Sequence, residues 1–490
     1  MSTLQFIIQD QSKTLFPNKS NQLLQQHGEQ LIREYIAKCF EQSEPSFSFL
    51  PQQRVYASKQ GPNLRRTVKL DPVAEYYIYD VVYRHRARFR KPHQESRTHF
   101  GYRFQGGDFL NPSSSYKGFR TAISKYTKKY RYFISFDVAS YFNSIYHHDL
   151  ATWFLNLVGD QGEYERFGQY FREINAGRSV DMLPQGLYAS KMIGNDFLRF
   201  VDNHHGLRSS QLLRFMDDFY LFSDSQAEIR SDFLLIQQLL GEKSLNLNPS
   251  KTNRVVASHT QIAAGIDSVK KKLLDRRRQE FVVESYDDDP QTIQVTKKKP
   301  LSAAEQEYIF DLLARDTLEE EDAELILTVM RDHATKAEKK LDYIIQNFPN
   351  LMKSVFNFCG RISDKEFLAD LLLKLLSSED LLEYQLFWFA HILETHLMAT
   401  TKAAELISGI YGHSKATVIS RAKILELADN RFGLAEMREA FLRTGQSDWL
   451  SWSAAVGERG LNRAGRNHRL AYFSKASPMN HLIGQIVSQL

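Results

Sequence analysis

The side chains with the clearest chemical potential are three aspartates, Asp137, Asp217 and Asp218, each set beside aromatic and β-branched residues. The run Tyr132-Phe133-Ile134-Ser135-Phe136-Asp137 predicts a strand that delivers a carboxylate at its end, and Val138-Ala139-Ser140-Tyr141-Phe142-Asn143 predicts a turn into a helix. Asp217-Asp218 lies between Leu212-Leu213-Arg214-Phe215 and Phe219-Tyr220-Leu221-Phe222, the pattern of a β-hairpin with the acidic pair at its turn. Between these stretches, Leu183-Pro184-Gln185-Gly186 runs into a helical pattern through Ser190, Ile193, Asn195 and Leu198. Brought together in one sheet, three carboxylates repel one another unless a cation sits among them. An all-oxygen set suits Mg²⁺, with water and substrate phosphate completing its shell. Two such ions can activate a hydroxyl nucleophile and stabilise a pyrophosphate leaving group. Taken singly, each aspartate is more often a turn or cap residue; the ordered trio carries the catalytic expectation.

The elements that must position these residues can be read from the chain around them. Net charge is only +5, but from Arg54 to Lys129 there are 17 Lys and Arg against 5 Asp and Glu. A basic segment in an otherwise mildly acidic protein points to a polyanion such as nucleic acid or nucleotide phosphate. Asn21 to Phe40 has apolar residues at helical spacing. After Pro300, stretches such as FLADLLLKLL and LLEYQLFWFAHILETHL alternate with short polar turns, which predicts successive amphipathic helices. The predicted fold class is α+β, followed by an all-α helical-repeat (HEAT-like) C-terminal domain. The expected division is an N-terminal helical segment at 1–50, a basic region at 51–130, an α+β core at 131–267, a charged boundary element at 268–300 and the helical domain at 301–490. The boundary element carries triplets of like charge around two apolar patches and reads as a hairpin.

Two cysteines, Cys39 and Cys359, cannot form a disulfide framework or a zinc cluster and fit a reducing compartment. The N-terminus lacks the pattern of a secretory signal, and no apolar run approaches the roughly 20 residues of a membrane span. The expected location is the cytoplasm, with no membrane partner. His147-His148 and His204-His205 read as surface histidines rather than ligands. Trp388, Trp449 and Trp452 read as core residues of the helical region, with base stacking as the lesser alternative.

In order and separation, the three segments resemble motifs A, B and C of the reverse transcriptases, with Phe-Met-Asp-Asp standing for the usual Tyr-x-Asp-Asp. Leu245-Asn246-Leu247-Asn248-Pro249-Ser250-Lys251-Thr252 resembles motif D, so the likeness covers about residues 80–260. It implies a fingers–palm fold in which Asp137 and Asp217 are metal ligands, Asp218 is a weaker third carboxylate, and the cofactor is a pair of Mg²⁺ ions, with Mn²⁺ as a substitute. It also implies that Phe142 is a steric gate against the ribose 2′-hydroxyl, that Gln185 contacts the incoming dNTP, and that Lys251 is a candidate acid for pyrophosphate. Arg97 and Arg103 resemble the fingers strand that supplies a triphosphate-binding arginine, with Arg97 favoured because guanidinium binds phosphate bidentately. Lys69 and Arg90 are further candidates.

A short fingers–palm unit without a recognisable thumb, followed by a long helical C-terminus, is similar to the bacterial abortive-infection (Abi) reverse transcriptases of AbiK-like, prophage-borne type. That resemblance implies anti-phage DNA synthesis without a template, primed from a tyrosine that remains attached to a single-stranded DNA product, in a homo-oligomer (trimer or hexamer). Among 23 tyrosines the primer is not identifiable, Tyr35 and Tyr56 being early candidates. Two other readings stay open: an RNA-templated enzyme of retron or intron type, and an inert nucleic-acid-binding scaffold.

Overall fold

The computed structural model describes residues 2–11, 14–41, 43–59, 61, 63–89, 94–105, 108–179, 183–253, 256–257, 302–330 and 334–490. The expected hairpin at 268–300 lies outside the described residues, as does Arg90. The chain opens with α1 (Thr3–Gln11) and α2 (Lys19–Cys39), then β1 (Gln53–Ser58), β2 (Leu64–Lys69) and α3 (Pro72–Arg84). Strands β3 (Arg97–Phe100), β4 (Phe104–Gln105) and β5 (Asp108–Phe109) precede α4 (Pro112–Lys129). There follow β6 (Tyr132–Asp137), α5 (Tyr141–Ser144), α6 (His147–Val158), α7 (Gln161–Ile174), α8 (Tyr188–Phe197) and α9 (Arg199–Asp202). The hairpin β7 (Gln211–Phe215) and β8 (Asp218–Ser223), α10 (Gln226–Gly241) and β9 (Val256–Ala257) complete this stretch.

Two compact units emerge, and neither is a single run of chain. The first collects Met1–Thr14, Arg33–Gln53 and Val68–Ala264; the second collects Leu15–Ile32, Arg54–Thr67 and Gly265–Leu490. This differs from the linear division expected from composition, because pieces of the first 67 residues belong with the helical C-terminus.

At the centre of the first unit is a five-stranded sheet in the order β3-β7-β8-β6-β9, with β3 parallel to β7 and the other pairs antiparallel. Period-two alternation sends Phe133, Ser135 and Asp137 of β6 to one face and Ile134 and Phe136 to the other. On β8 the partners of these residues follow suit, since Phe133 pairs with Phe222, Ser135 with Tyr220 and Asp137 with Asp218. Helix α4 covers that face through a core of Phe119, Phe133, Leu213 and Phe222. Helix α10 covers the opposite face, where its Phe233 meets Phe136 at 5.1 Å between ring centres. Each fully buried phenylalanine stabilises such a core by about 1.5–3 kcal/mol.

Helix α3 begins after Asp71, which accepts hydrogen bonds from the amides of Val73 and Ala74, with Pro72 in the first turn. Near its end, Arg84, Asp80, Glu163, Arg33 and Arg166 line a cavity of about 350 Å³. The His85 ring, 3.5 Å away, and the Arg84 guanidinium, at 3.0 Å, hold the Glu163 carboxyl down at about 2. A folded-state value below the unfolded one contributes stability above about 4.5 that is lost as pH falls towards 2. Glu163→Gln is therefore expected to cost about 1 kcal/mol at pH 7, after allowance for solvent screening. Urea titrations between pH 7 and pH 3 should show that deficit shrinking with acid.

The described C-terminal residues of the second unit are helical: α11 (Ala303–Ala314), α12 (Glu320–Val329), α13 (Ala334–Asn347), α14 (Met352–Cys359), α15 (Lys365–Leu376) and α16 (Glu383–Ile392). These are followed by α17 (Ala403–Gly412), α18 (Val418–Leu425), α19 (Leu434–Leu442), α20 (Trp449–Gly457), α21 (Arg463–Phe473) and α22 (Pro478–Gln489). Every second helix packs on the next, α12 on α14, α14 on α16, and so through α18 and α20 to α22. Helix α15 meets α17 and α19 meets α21 in the same manner, which is how stacked helix pairs bury one continuous core. Trp388, Trp449 and Trp452 are buried in it, as expected. Residues 15–32 join this unit through Glu426, whose carboxylate accepts from the amides of Lys19 and Ser20 and is paired with the fully buried Lys423. Helix α2 kinks at Gly28, and a Cβ at that position would lie 2.1 Å from Cδ1 of Ile486, which leaves room for glycine alone. Among the described residues, no helix is long and apolar enough to cross a membrane.

Candidate active site

Asp137 ends β6 and Asp218 begins β8, and the two are direct partners across the antiparallel ladder. Residues so paired have Cα atoms about 4.5–5.5 Å apart and side chains on one face. Asp217 stands in the preceding turn, where its carbonyl accepts from the Val138 amide at 3.3 Å. The expected hairpin is thus formed, and it brings the acidic pair to Asp137. Both flanking turns are strained: Met216 has φ 55° and Ser140 has φ 48°. Left-handed geometry costs a non-glycine residue on the order of 1 kcal/mol or more, so the surrounding structure must impose it.

The electrostatics are those of carboxyl groups crowded together away from water. Burial and the neighbouring charges of Asp218 and Asp137 push the Asp217 carboxyl up to about 6. Asp218 is raised as well, by desolvation and by Asp137. Oxygen Oδ2 of Asp137 accepts from Nζ of Lys251 at 2.8 Å, whereas its Oδ1 is buried with no hydrogen-bond partner. Among the described residues, no group of three His, Cys, Asp or Glu is already gathered to hold a metal ion. Mg²⁺ is commonly held by one or two carboxylates, with water and substrate phosphate supplying the rest. An orphaned buried carboxylate oxygen beside two raised carboxyl groups meets that demand.

Lys251 reaches Asp137 from a short 3₁₀ turn, Pro249–Lys251, that Asn248 caps through the Ser250 amide. The segment is fixed along β6 by main-chain bonds from Ala139 to Asn246 and from Asn248 to Asp137. Phe142 lies in α5, directly after the Asp137 strand, with its ring 5.6 Å from that of Tyr141. The Tyr141 hydroxyl donates to the Gly194 carbonyl at 2.6 Å, holding α5 against α8. Gly194 permits the approach, since a Cβ there would lie 3.2 Å from Leu183 and 3.3 Å from Tyr141. Gln185 is half-buried ahead of α8, next to Gly186, whose φ of 122° only glycine adopts readily.

The arginines of the basic segment are engaged differently from the expectation. Arg97 is buried, and its guanidinium donates to the carbonyls of Ser96, Leu207 and Ser209. Arg103 is buried too and donates to the His99 carbonyl. Both guanidinium groups thus donate to backbone carbonyls. Lys69 is buried at the end of β2. His147 is not a surface residue: its ring is buried and meets the Gly168 carbonyl at 3.2 Å. His204 and His205 stack on each other near the surface.

One functional element had escaped the sequence reading. Arg214 is wholly buried, and its Nη1 donates to the Met216 carbonyl at 2.9 Å and to Asn195 Oδ1 at 3.1 Å. Its Nε and Nη2 meet the two oxygens of Asp202, also buried. Asn195 in turn donates to His99 Nδ1. Arg214 therefore ties α8 and α9 to the residue that precedes Asp217. The signal was a lone charge inside the apolar run Leu212-Leu213-Arg214-Phe215; nothing in the sequence named its partner.

Comparison with protein families matches residues 88–295 to the reverse transcriptase (RNA-dependent DNA polymerase) family, so a domain of this kind is present. No curated protein matches the chain. Among solved structures, telomerase from Candida albicans, in complex with the TWJ fragment of telomeric RNA, aligns at 12% identity and a TM-score of 0.33, covering 78% of this chain and 70% of that one. Apo telomerase from Candida tropicalis aligns at 12% identity and a TM-score of 0.33, covering 87% of this chain and 73% of that one.

Proposed function

We propose that the reverse transcriptase domain polymerises deoxynucleotides, with Asp137 and Asp217 holding divalent ions and Asp218 adding charge at the rim. The observation that carries this reading is the direct pairing of Asp137 with Asp218, with Oδ1 of Asp137 buried and unpartnered. When bound, the ions supply an activated 3′-hydroxyl and charge neutralisation at the transferred phosphate. The chain's own residues do the rest. The Lys251 ammonium beside Asp137 is a cation available to the departing pyrophosphate, Gln185 borders the incoming nucleotide, and Phe142 closes against a 2′-hydroxyl. Phe142→Ala is expected to raise ribonucleotide use relative to deoxynucleotide use by on the order of tenfold or more, measured by competitive incorporation.

The finer reading is an anti-phage enzyme of abortive-infection type. It synthesises single-stranded DNA without a template, primes from a tyrosine and works as a cytoplasmic homo-oligomer. The likeness of Leu-Pro-Gln-Gly-Leu-Tyr-Ala-Ser and Phe-Met-Asp-Asp-Phe to that group supports it. The test is Mg²⁺-dependent incorporation of labelled dNTPs, with and without an RNA template. Label that stays with denatured protein in the template-free arm supports the reading; incorporation only with template transfers the assignment to a retron- or intron-like enzyme.

A further inference from the structure

Helix α4 is a basic track laid on the same sheet face as the aspartates. No acidic residue occurs between Asp108 and Asp137, yet that interval holds Lys117, Arg120, Lys125, Lys128, Lys129 and Arg131. Lys117, Arg120, Thr121, Ser124, Lys125 and Lys128 fall at helical spacing on one stripe, and all six are exposed. The opposite stripe, through Phe119, Ala122, Ile123 and Tyr126, packs on the sheet. Among the described residues, none of the four basic side chains in the stripe is within ion-pair distance of a carboxylate. Ordinary surface helices interleave charges of both signs; this one does not.

The track also has a direction. Tyr116, 47% exposed, meets Phe215 at the head of the catalytic turn, with 5.2 Å between ring centres. Phe119 lies 5.7 Å from Tyr220, which follows Asp218 by two residues on β8. At the other end, Tyr126 meets Phe222, two residues further along β8. The stripe therefore starts beside the aspartates and leads away from them. From Lys117 to Lys128 it spans about 16 Å, at 1.5 Å per residue. That length faces roughly four or five nucleotides of one strand. Lysine and arginine pair with phosphate, the Thr121 and Ser124 hydroxyls donate to phosphate oxygens, and an exposed tyrosine ring at the entrance can stack a base.

We propose that α4 holds the sugar–phosphate backbone of the single DNA strand being extended, guiding it away from the Asp137–Asp217 site. This rests on the polymerase reading for the identity of the strand, but the contact can be measured without synthesis. The probe is fluorescent oligo(dT) of about 20 nucleotides, titrated against the full chain over a range of salt. In Lys117→Gln/Arg120→Gln/Lys125→Gln/Lys128→Gln, the slope of log affinity against log salt should fall by about three, since each lost single-strand contact removes about 0.7. Oligo(dA) should weaken equally, because a backbone contact ignores the base. Lys415→Gln/Lys475→Gln, which removes two exposed lysines of the second unit, should keep the wild-type slope. An unchanged slope in the α4 variant overturns the proposal, and tighter wild-type binding of oligo(U) than of oligo(dT) overturns the assignment to DNA. Asp217→Asn should bind oligo(dT) at least as well as wild type. If wild type binds through α4 but incorporates nothing, the polymerase reading fails and the track stands.

Discussion

Asp217→Asn is expected to reduce deoxynucleotide incorporation by about a thousandfold or more, the scale of removing one preorganised charge from a reacting phosphoryl group. The substitution keeps the shape of the side chain and removes only charge. It acts where charge is already costly, because Asp217 stands beside Asp218 and near Asp137, and its carboxyl is pushed up by burial and by both neighbours. Two readouts should therefore separate. In metal-free buffer the variant should unfold at the same temperature as wild type or higher, since one of three clustered negative charges is gone. Added Mg²⁺ should raise the wild-type midpoint in proportion to its binding and move the variant little. A variant that still incorporates dNTPs at more than about a tenth of the wild-type rate would remove the carboxylates from the mechanism.

The sequence was informative where chemistry and local geometry coincide. Asp137 at the end of an aromatic strand, Asp217-Asp218 between two apolar runs, and Pro184-Gln185-Gly186 before a helix each carry their own turn or strand signal, and the structure forms all three elements. What could not be read depends on partners distant in sequence. Arg97 looked like a phosphate ligand because it is an arginine in a basic segment, but its position next to β7 gives its guanidinium the Leu207 and Ser209 carbonyls instead. His147 looked exposed because nothing local marks the Gly168 carbonyl as its acceptor. Likewise, residues 15–32 read as part of an N-terminal segment, whereas Glu426, some 400 positions away, caps their helix.

Arg214 carries the second large prediction. Its guanidinium is enclosed, doubly bonded to Asp202 and singly bonded to Asn195 and to the Met216 carbonyl. Arg214→Leu would leave the Asp202 carboxylate buried without its counter-ion, a loss of about 3–5 kcal/mol in urea unfolding. Lysine is no remedy, because one ammonium cannot meet three acceptors with the geometry of a planar fork. The double variant Arg214→Leu/Asp202→Asn removes both charges and should recover much of the stability, since a buried ion pair contributes little net once its desolvation is counted. Activity should not recover with it. The Met216 carbonyl would still lack its donor, and that residue is held at φ 55° immediately before Asp217. A folded double variant with impaired incorporation, and a raised Mg²⁺ requirement, is therefore the expected result. Restoration of both properties together would show that Arg214 serves the fold alone and that the turn holds its strained shape without it.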